Sequence, residues 1–536
     1  MDLSLGNLEA ASGLPDIEKA AQRLARAVKE NENIAVAGDF DADGATASVL
    51  CVSFLKSLGA TRVSWHIPDR VRFGYGLSPG FCREILDLEP NVIVTVDQGV
   101  SSVDGVALAA ADGVDVIVTD HHLPPDTLPA AYAIVNPAMK ESSFRGKLAG
   151  VGVAFYLMGV VWRTLQRDGF FAGVSRSSPD IRDWLDLVAL GTVADLVPLD
   201  RNNRILIRQG LERIRSGRGN VGISALAQAA RRPLDTLRAE DLGFVIAPRV
   251  NAAGRIASMR AGVECLLSQD RKQARARAAR LNELNVKRRS LQDDMLATAG
   301  DLVSACDRAA DAHCLYHTSF NEGVVGLVAG RAKDALEVPV AVFADSQPLS
   351  LGEVKGSLRS VEGVHIRDVL AEIDAEYPNL IQRFGGHAMA AGLTLRKGSL
   401  NRFQTILESG VGERLKNARP RGICRSDGDL PAAELTYENA RLIEEFGPWG
   451  QDFEEPLFHG RFEVVHAATM GPRRQHTRMT LVKDNRNVEA IAFNSPPPDT
   501  PRVTLTYRLR VKRLQGQESA QLLVRDVQPE GTGLIT

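Results

Sequence analysis

At 536 residues the chain is too long for one hydrophobic core and should divide into several domains, and its balance of 44% apolar and 24% charged residues excludes a disordered or fibrous polypeptide. No stretch approaches the roughly 18 uninterrupted apolar residues of a membrane span, and the N-terminus lacks the basic and apolar regions of a secretion signal, so no membrane association and a cytoplasmic location are expected. The net charge of −2 decides nothing about nucleic acid, which responds to local clusters, and six scattered cysteines without Cys-x-x-Cys spacing read as reduced, packed thiols.

In chain order, Ile17, Ala20, Leu24, Ala27 and Val28 carry helical spacing over 15–30 and lead into a buried strand, Ile34 to Ala37. Three carboxylates at alternate positions, Asp39, Asp41 and Asp43, follow directly at its C-terminal end, and Gly44 turns the chain into an apolar helix over 45–58. Three like charges in five residues repel one another in any buried site unless a cation neutralises them. A calcium loop of the pattern Asp-x-Asp-x-Asp-Gly is the nearest competitor. It fails at its twelfth position, where Leu50 stands in place of a bidentate Glu, and a strand replaces the helix that should precede it.

Further strands are expected over 62–68, 92–96 and 114–118, with an Arg- and Gly-rich loop at 69–78 between the first two. The strand at 92–96 ends in Asp97-Gln98-Gly99 and the one at 114–118 in Thr119-Asp120-His121-His122. The apolar run from Leu187 to Ala194 is likewise closed by Asp195, for which a helix N-cap is the alternative reading. Alternating strands and helices over the first 200 residues point to a parallel, doubly wound sheet, whose strand ends all face one edge. Carboxylates with imidazole and no cysteine suit Mn²⁺ or Mg²⁺. Five or six such ligands exceed one four-coordinate ion and fit two ions about 3.5–4 Å apart, the arrangement used for phosphoester hydrolysis.

Together, Gly38-Asp39-Phe40-Asp41-Ala42-Asp43-Gly44, Val96-Asp97-Gln98-Gly99, Asp120-His121-His122 and Gly191-Thr192-Val193-Ala194-Asp195 closely resemble the successive motifs of the DHH phosphoesterase family. Gly74-Tyr75-Gly76-Leu77-Ser78, the run Pro248 to Arg255 and the run Gly385 to Gly392 resemble, in order, those of its branch of bacterial exonucleases. The resemblance spans nearly the whole chain and implies 5′-to-3′ hydrolysis of single-stranded DNA in recombination and repair, with two divalent ions, Mn²⁺ or Mg²⁺. It implies metal ligands at Asp41, Asp43, Asp97, His121 and Asp195, with Asp97 bridging, His122 beside the scissile phosphate, and Asp39 supporting a ligand or water. Two positions depart from the motifs: Gln98 stands where Asn is usual, and Asn321, in Phe320 to Gly326, where His is usual.

In the middle of the chain, Gly150 and Gly152 precede an apolar helix, where they either cradle phosphate or allow close packing. Arg249, Asn251 and Arg255 form a polar cluster suited to a phosphodiester, with an interdomain ion pair as the alternative. Over 270–299 a long helix carries eight Lys or Arg residues, read as a connector lining a cleft or as a solvated face. A second α/β unit follows, with strands near 314–316 and 338–343; by resemblance it is the DHH-associated domain, with Arg359, Ser360 and His387 as substrate contacts. Strict alternation over 502–513 puts Val503, Leu505, Tyr507, Leu509 and Val511 on one face and Arg508, Arg510 and Lys512 on the other. With Arg473, Arg474, Arg478 and Lys483, this suggests a small β-barrel of the oligonucleotide-binding type tracking a nucleic-acid backbone through Arg508 and Arg510; the alternative is a barrel whose arginines face water.

The expected division is a phosphoesterase domain over 1–258, a helical connector over 259–305, the associated domain over 306–412 and the barrel over 413–536. Expected partners are single-stranded DNA and, around it, a helicase and a single-strand-binding protein, with the chain itself a monomer. A phosphodiesterase for short oligonucleotides or cyclic dinucleotides needs neither the length nor the barrel, and a non-catalytic scaffold would have lost ligands that are all present here.

Overall fold

The computed structural model describes residues 2–70, 72–172, 178–346, 352–415, 425–471, 474–514 and 516–530; Arg473 and Cys424 lie outside them. The first lobe opens with α1 (Ile17–Glu30), which buries Ile17, Ala20, Leu24, Ala27 and Val28 and ends at Asn31 in the left-handed region. A five-stranded sheet follows, built from β1 (Ile34–Gly38), α2 (Ala42–Ser57), β2 (Val63–His66), α3 (Pro79–Leu86), β3 (Val92–Val96), α4 (Val103–Ala111), β4 (Asp115–Thr119) and β5 (Ala133–Val135). Its order is β2-β1-β3-β4-β5 with every pair parallel. Alternate residues feed two separate cores. Val36, Val94 and Ile117 face one with α1 and α2, while Ala35, Ile93 and Val116 face the other with α3 and α4. The sheet is therefore wound on both faces, and its strands are continuous apolar runs for that reason.

The lobe is completed by α5 (Gly150–Arg167), α6 (Leu185–Ala194), α7 (Arg201–Arg215), α8 (Val221–Ala229), α9 (Ala239–Asp241), a π-helical turn at Leu242–Ile246, α10 (Ala247–Ile256) and α11 (Arg260–Leu266). The run before Asp195 is thus a buried helix, α6, and Asp195 is its C-cap, neither a strand end nor an N-cap. A short apolar run does not by itself separate a buried strand from a buried helix.

The 34-residue helix α12 (Arg271–Ser304) joins the lobes. It buries Ala274, Ala278, Leu281 and Leu284 in the first core and Met295 and Ala299 in a second. That second lobe comprises β6 (His313–Tyr316), α13 (Val325–Leu336), β7 (Val340–Asp345), β8 (Glu353–Arg359), α14 (Ile366–Glu376), β9 (Ile381–Gly386), β10 (Ala390–Arg396) and α15 (Leu400–Leu415), with sheet order β6-β7-β8-β10-β9. Finally α16 (Tyr437–Phe446) precedes β11 (Phe458–Met470), β12 (His476–Lys483), β13 (Arg486–Ala492), β14 (Arg502–Leu514) and β15 (Gln517–Pro529), which close a barrel in the order β11-β12-β13-β15-β14. Val503, Leu505, Tyr507, Leu509 and Val511 fill it, as their alternation requires. The barrel is docked on the first lobe: Leu199 N–H donates to the Gln451 carbonyl at 2.7 Å, and the Arg204 guanidinium lies 3.7 Å from the Phe453 ring centre.

Candidate metal centre

The metal-capable side chains gather at the C-terminal edge of the parallel sheet, where β1, β3 and β4 end, and α6 adds Asp195 from above. Asp41 caps α2, its carboxylate accepting from the Asp43 and Gly44 N–H groups at 2.9 and 3.1 Å. Asp43, one residue into the helix, accepts from the N–H groups of Gly150 (2.6 Å) and Val151 (3.0 Å) at the start of α5. The glycine at 150 is there for close approach: a Cβ would stand 2.5 Å from the Asp97 Cβ. Close packing is the role of that run, and its N–H groups hold a carboxylate.

Three sets of ligand atoms lie within 4.8 Å of one another: Asp43, His121 and Asp195; Asp39, Asp41 and Asp97; and Asp97, His121 and His122. His121 Nε2 approaches Asp97 Oδ1 at 3.1 Å and Asp195 Oδ2 at 3.5 Å. Asp97 belongs to two of the three sets. The second set also groups Asp39 with Asp41 and Asp97, which makes it as well placed as a ligand as it is for support.

The electrostatics are those of a site awaiting positive charge. Burial first, and Asp41 second, push Asp43 up to about 7; burial and Asp43 push Asp195 up to about 9. Asp97 and Asp39 are raised well above the carboxylate range by burial and by their acidic neighbours. Burial holds His121 down, to about 4, leaving a neutral imidazole able to ligate. Asp39 Oδ1, Asp97 Oδ1 and His121 Nε2 are buried without a hydrogen-bond partner. Unpartnered buried oxygens and a neutral imidazole, converging among five carboxylates, fit divalent cations.

His122 behaves differently. Burial opposes its charge, but Asp120, 2.7 Å from Nδ1, outweighs it and lifts the imidazole to about 9. Asp120 also accepts from the N–H groups of Val100, His121 and His122, and is an anchor rather than a ligand. Tyr75 places its hydroxyl 3.0 Å from His122 Nδ1 and donates to the Asp97 carbonyl at 3.2 Å. His387 reaches over from the second lobe and stacks on His122 at 5.8 Å and 20°.

The expected phosphate contacts divide. Arg255 is half-buried and lowered to about 10, by desolvation first and then by the charges of Arg70, Arg288 and Arg359, with Asp41 acting the other way. Arg70 and Arg288 were not singled out from the sequence, although the Arg-rich loop at 69–78 and the basic run on α12 contain them. Asn251 instead braces the metal loop, accepting from Ala42 N–H at 2.7 Å, and Arg249 is tied to Asn282 and the Val245 carbonyl. Ser360 turns inward, donating to the Val364 carbonyl at 2.7 Å, and is not available to a substrate. Arg510 is clasped by Glu240 of the first lobe and by Glu455, so it faces that lobe rather than an open groove, while Arg508 lies 3.4 Å from Glu455 and stays partly exposed.

Both departures from the motifs have structural roles. Gln98 ties the ends of β3 and β1 through the Ala37 and Gly38 carbonyls. Asn321 accepts from Gly323 N–H, shaping the turn whose Gly323 carbonyl takes the Arg255 guanidinium.

Three family models match in order: the DHH family N-terminal domain over residues 33–192, the DHHA1 domain over 309–413 and the RecJ OB domain over 426–526. The chain is 43% identical to the single-stranded-DNA-specific exonuclease RecJ of Dickeya dadantii over 526 residues, covering 96% of this chain and 91% of that one. Against the protein of the same name from Escherichia coli the identity is 43% with the same coverage. Among solved structures, RecJ from Thermus thermophilus in complex with Mn²⁺ superposes with a TM-score of 0.79 at 29% identity, over 96% of this chain and 72% of that one. The same protein with Mg²⁺ gives 0.75 at 28% identity, covering 98% and 72%.

Proposed function

The chain belongs to the RecJ family of DHH phosphoesterases, and from that premise we propose how its residues divide the work of digesting DNA. It is a metal-dependent exonuclease specific for single-stranded DNA, of the recombination and repair class, and it takes Mn²⁺ or Mg²⁺. Two ions are proposed. Asp43, His121 and Asp195 would hold one and Asp39 and Asp41 the other, with Asp97 shared. When bound, the cations supply an activated water and neutralise charge on the phosphoryl group.

The protein's own groups do the rest. The N–H groups of α5 hold Asp43 in place, so the ligand cage is set before substrate arrives. His122, kept cationic by Asp120, faces the scissile phosphate and stabilises its developing negative charge. The Arg70, Arg255, Arg288 and Arg359 cluster receives a phosphate beside the cage, and a terminal 5′-phosphate matches that concentration of charge best, which supports 5′-to-3′ polarity. His387, stacked on His122, closes the site from the second lobe.

We further assign phosphoryl chemistry to residues 1–258, the lobe connection to 259–305, strand clamping to 306–412 and strand delivery to 413–536. The enzyme works as a cytoplasmic monomer on strands opened by a helicase and coated by a single-strand-binding protein. The observation that carries this reading is the convergence of orphaned buried ligand atoms beside four guanidiniums. The test compares 5′-blocked, 3′-blocked and duplex oligonucleotides with Mn²⁺, using Asp41→Ala and Asp97→Ala. Unblocked and 3′-blocked single strands should be consumed, 5′-blocked strands and blunt duplex spared, and both variants inert. Digestion that survives in either variant overturns the ligand assignment, and digestion from the 3′ end overturns the polarity.

A further inference from the structure

Phe244 is 72% exposed, the most exposed aromatic ring among the described residues. Leaving such a ring in water forgoes the roughly 1.5–3 kcal/mol that its burial would contribute. Its position is informative. Residues 239–256 form one continuous path between the barrel and the metal centre: Glu240 clasps Arg510 of the barrel at one end, and Asn251 braces Ala42 of the metal loop at the other. Phe244 lies between them, on the π-helical turn at Leu242–Ile246. Such turns break the regular phase of a helix and concentrate at functional positions.

The same turn packs on the end of α6. A Cβ on Gly243 would stand 2.9 Å from Val193 Cγ1, two residues before the Asp195 ligand position. Leu196, next after Asp195, is itself 64% exposed and held at φ 59°, a left-handed conformation unfavourable for a branched apolar side chain. Two large apolar side chains are therefore exposed on two segments that pack together next to Asp195, the end of α6 and the π-helical turn. The flanking charge is mixed: Arg249, five residues beyond Phe244, is tied to Asn282 and the Val245 carbonyl, and Arg232 pairs with Asp241 at 3.4 Å, while Arg289 of α12 is exposed. Exposed apolar side chains on a path between an oligonucleotide-binding-type barrel and a phosphoryl site match an occupant with apolar faces that travels along that path.

We propose that Phe244, with Leu196, is a stacking platform for unpaired nucleobases of the strand on its way from the barrel to the metal centre, and so a specificity-determining contact for single strands. Every base has a π-face, so the platform is indifferent to sequence. In a duplex those faces are covered by neighbouring pairs, and the platform has nothing to hold. This inference rests on the nuclease reading above and adds the residues that read strandedness.

The test measures KM with Mn²⁺ for the full chain and for Phe244→Ala, Phe244→Trp and Leu196→Ala, on a thymidine oligonucleotide and on a strand of equal length carrying an internal abasic tract. Because the ring is exposed, Phe244→Ala should melt with the parent chain. Its KM on the base-bearing strand should rise roughly tenfold, the loss of about one stacked base, and Phe244→Trp should restore it. On the abasic strand, parent and Phe244→Ala should have the same KM. An equal shift on both strands, no shift on either, or a Trp variant as poor as the Ala variant overturns the platform while leaving the nuclease reading intact. A parent chain that digests neither strand overturns the nuclease reading itself.

Discussion

Arg510, on the outer face of the barrel strand β14, is held by Glu240 of the first lobe through two parallel contacts of 2.5 Å, and by Glu455. A bidentate guanidinium–carboxylate pair fixes orientation as well as distance. The barrel is thereby aimed at the metal centre by a residue that an alternating basic strand suggests is a DNA contact. Arg510→Ala should weaken binding of long single strands by misorienting the barrel and lower stability by about 2 kcal/mol, between exposed and buried ion pairs. The slope of log affinity against log salt should stay at the parent value, because no phosphate contact is lost. A slope reduced by about one would identify Arg510 as a phosphate ligand.

Asp120 and His122 form the second fixed pair, 2.7 Å apart and buried from solvent on the Asp120 side. With Asp120 in place the imidazole stays charged up to about pH 9. Asp120→Asn removes the main cause of that elevation, so His122 should lose its proton at lower pH. Cleavage at pH 8 should fall about 10–100-fold, the usual cost of losing a group that orients a catalytic residue, with recovery as the pH is lowered toward 6. A loss of the same size at both pH values would show that Asp120 acts only by shaping the loop.

Much of this was legible in the residues, and the failures have physical causes. Strands ending in Asp or His are visible because apolar runs have a period and parallel strands share an edge. Asp195 was recognisable as part of the site but not as the end of a helix, because a short buried run has no readable period. For Arg510 and Ser360 the sequence points to substrate contacts while the fold gives both protein partners. The partner of Arg510 is set by tertiary contact, Glu240 lying 270 residues away, and nothing local in the strand announces an acidic neighbour; Ser360 is turned inward by the Val364 carbonyl four residues on, a bond that the loop's conformation alone decides. Tyr75 and Asp120 were present in quoted motifs but had no role until their distances to His122 were known.

The titration of the centre gives a stability profile whose sign can be worked out. Asp43 and Asp195 sit at about 7 and about 9 against an ordinary 3.8, so their contribution is fully present below about pH 4 and is lost as pH rises through 7 and then 9. His122, raised from 6.5 to about 9, acts in the same direction over pH 6.5–9. His121, lowered to about 4, acts oppositely but only as pH falls from 6.5 through 4. The metal-free chain should therefore melt at progressively lower temperature from pH 6.5 to 9. Mn²⁺ binds the ionised carboxylates, so at a fixed Mn²⁺ concentration the rise in Tm that it produces should grow over the same range, the stabilisation being about 2.7 kcal/mol where that concentration is a hundredfold above Kd. A metal-free Tm that is flat across this window, with a Mn²⁺ shift independent of pH, would remove the carboxylate cluster as its cause.

Gly150 ties the start of α5 directly to the ligand cage. Its N–H donates to Asp43 at 2.6 Å while its missing side chain leaves room for Asp97, whose Cβ and Oδ1 would lie 2.5 and 2.6 Å from an added Cβ. Gly150→Ala suits a helix start, with no positive φ to strain, so the helix itself should tolerate it. The clash falls on Asp97, on its Cβ, its Oδ1 and its backbone Cα at 2.7 Å, so the residue proposed to be shared by both ions must move as a whole and both ligand sets are disturbed at once. Mn²⁺ affinity, measured by calorimetry, should fall at least about 10-fold and turnover about 100-fold, with a lower metal-free Tm because the backbone of Asp97 must shift as well. Gly191 provides the control from the opposite wall, where a Cβ would meet Asp43 Oδ1 at 2.7 Å and Thr46 Oγ1 at 2.3 Å. Gly191→Ala should also weaken Mn²⁺ binding, through Asp43 rather than Asp97. If Gly150→Ala binds Mn²⁺ and cuts DNA like the parent, Asp97 has room to shift and its position is not what holds the two sets together.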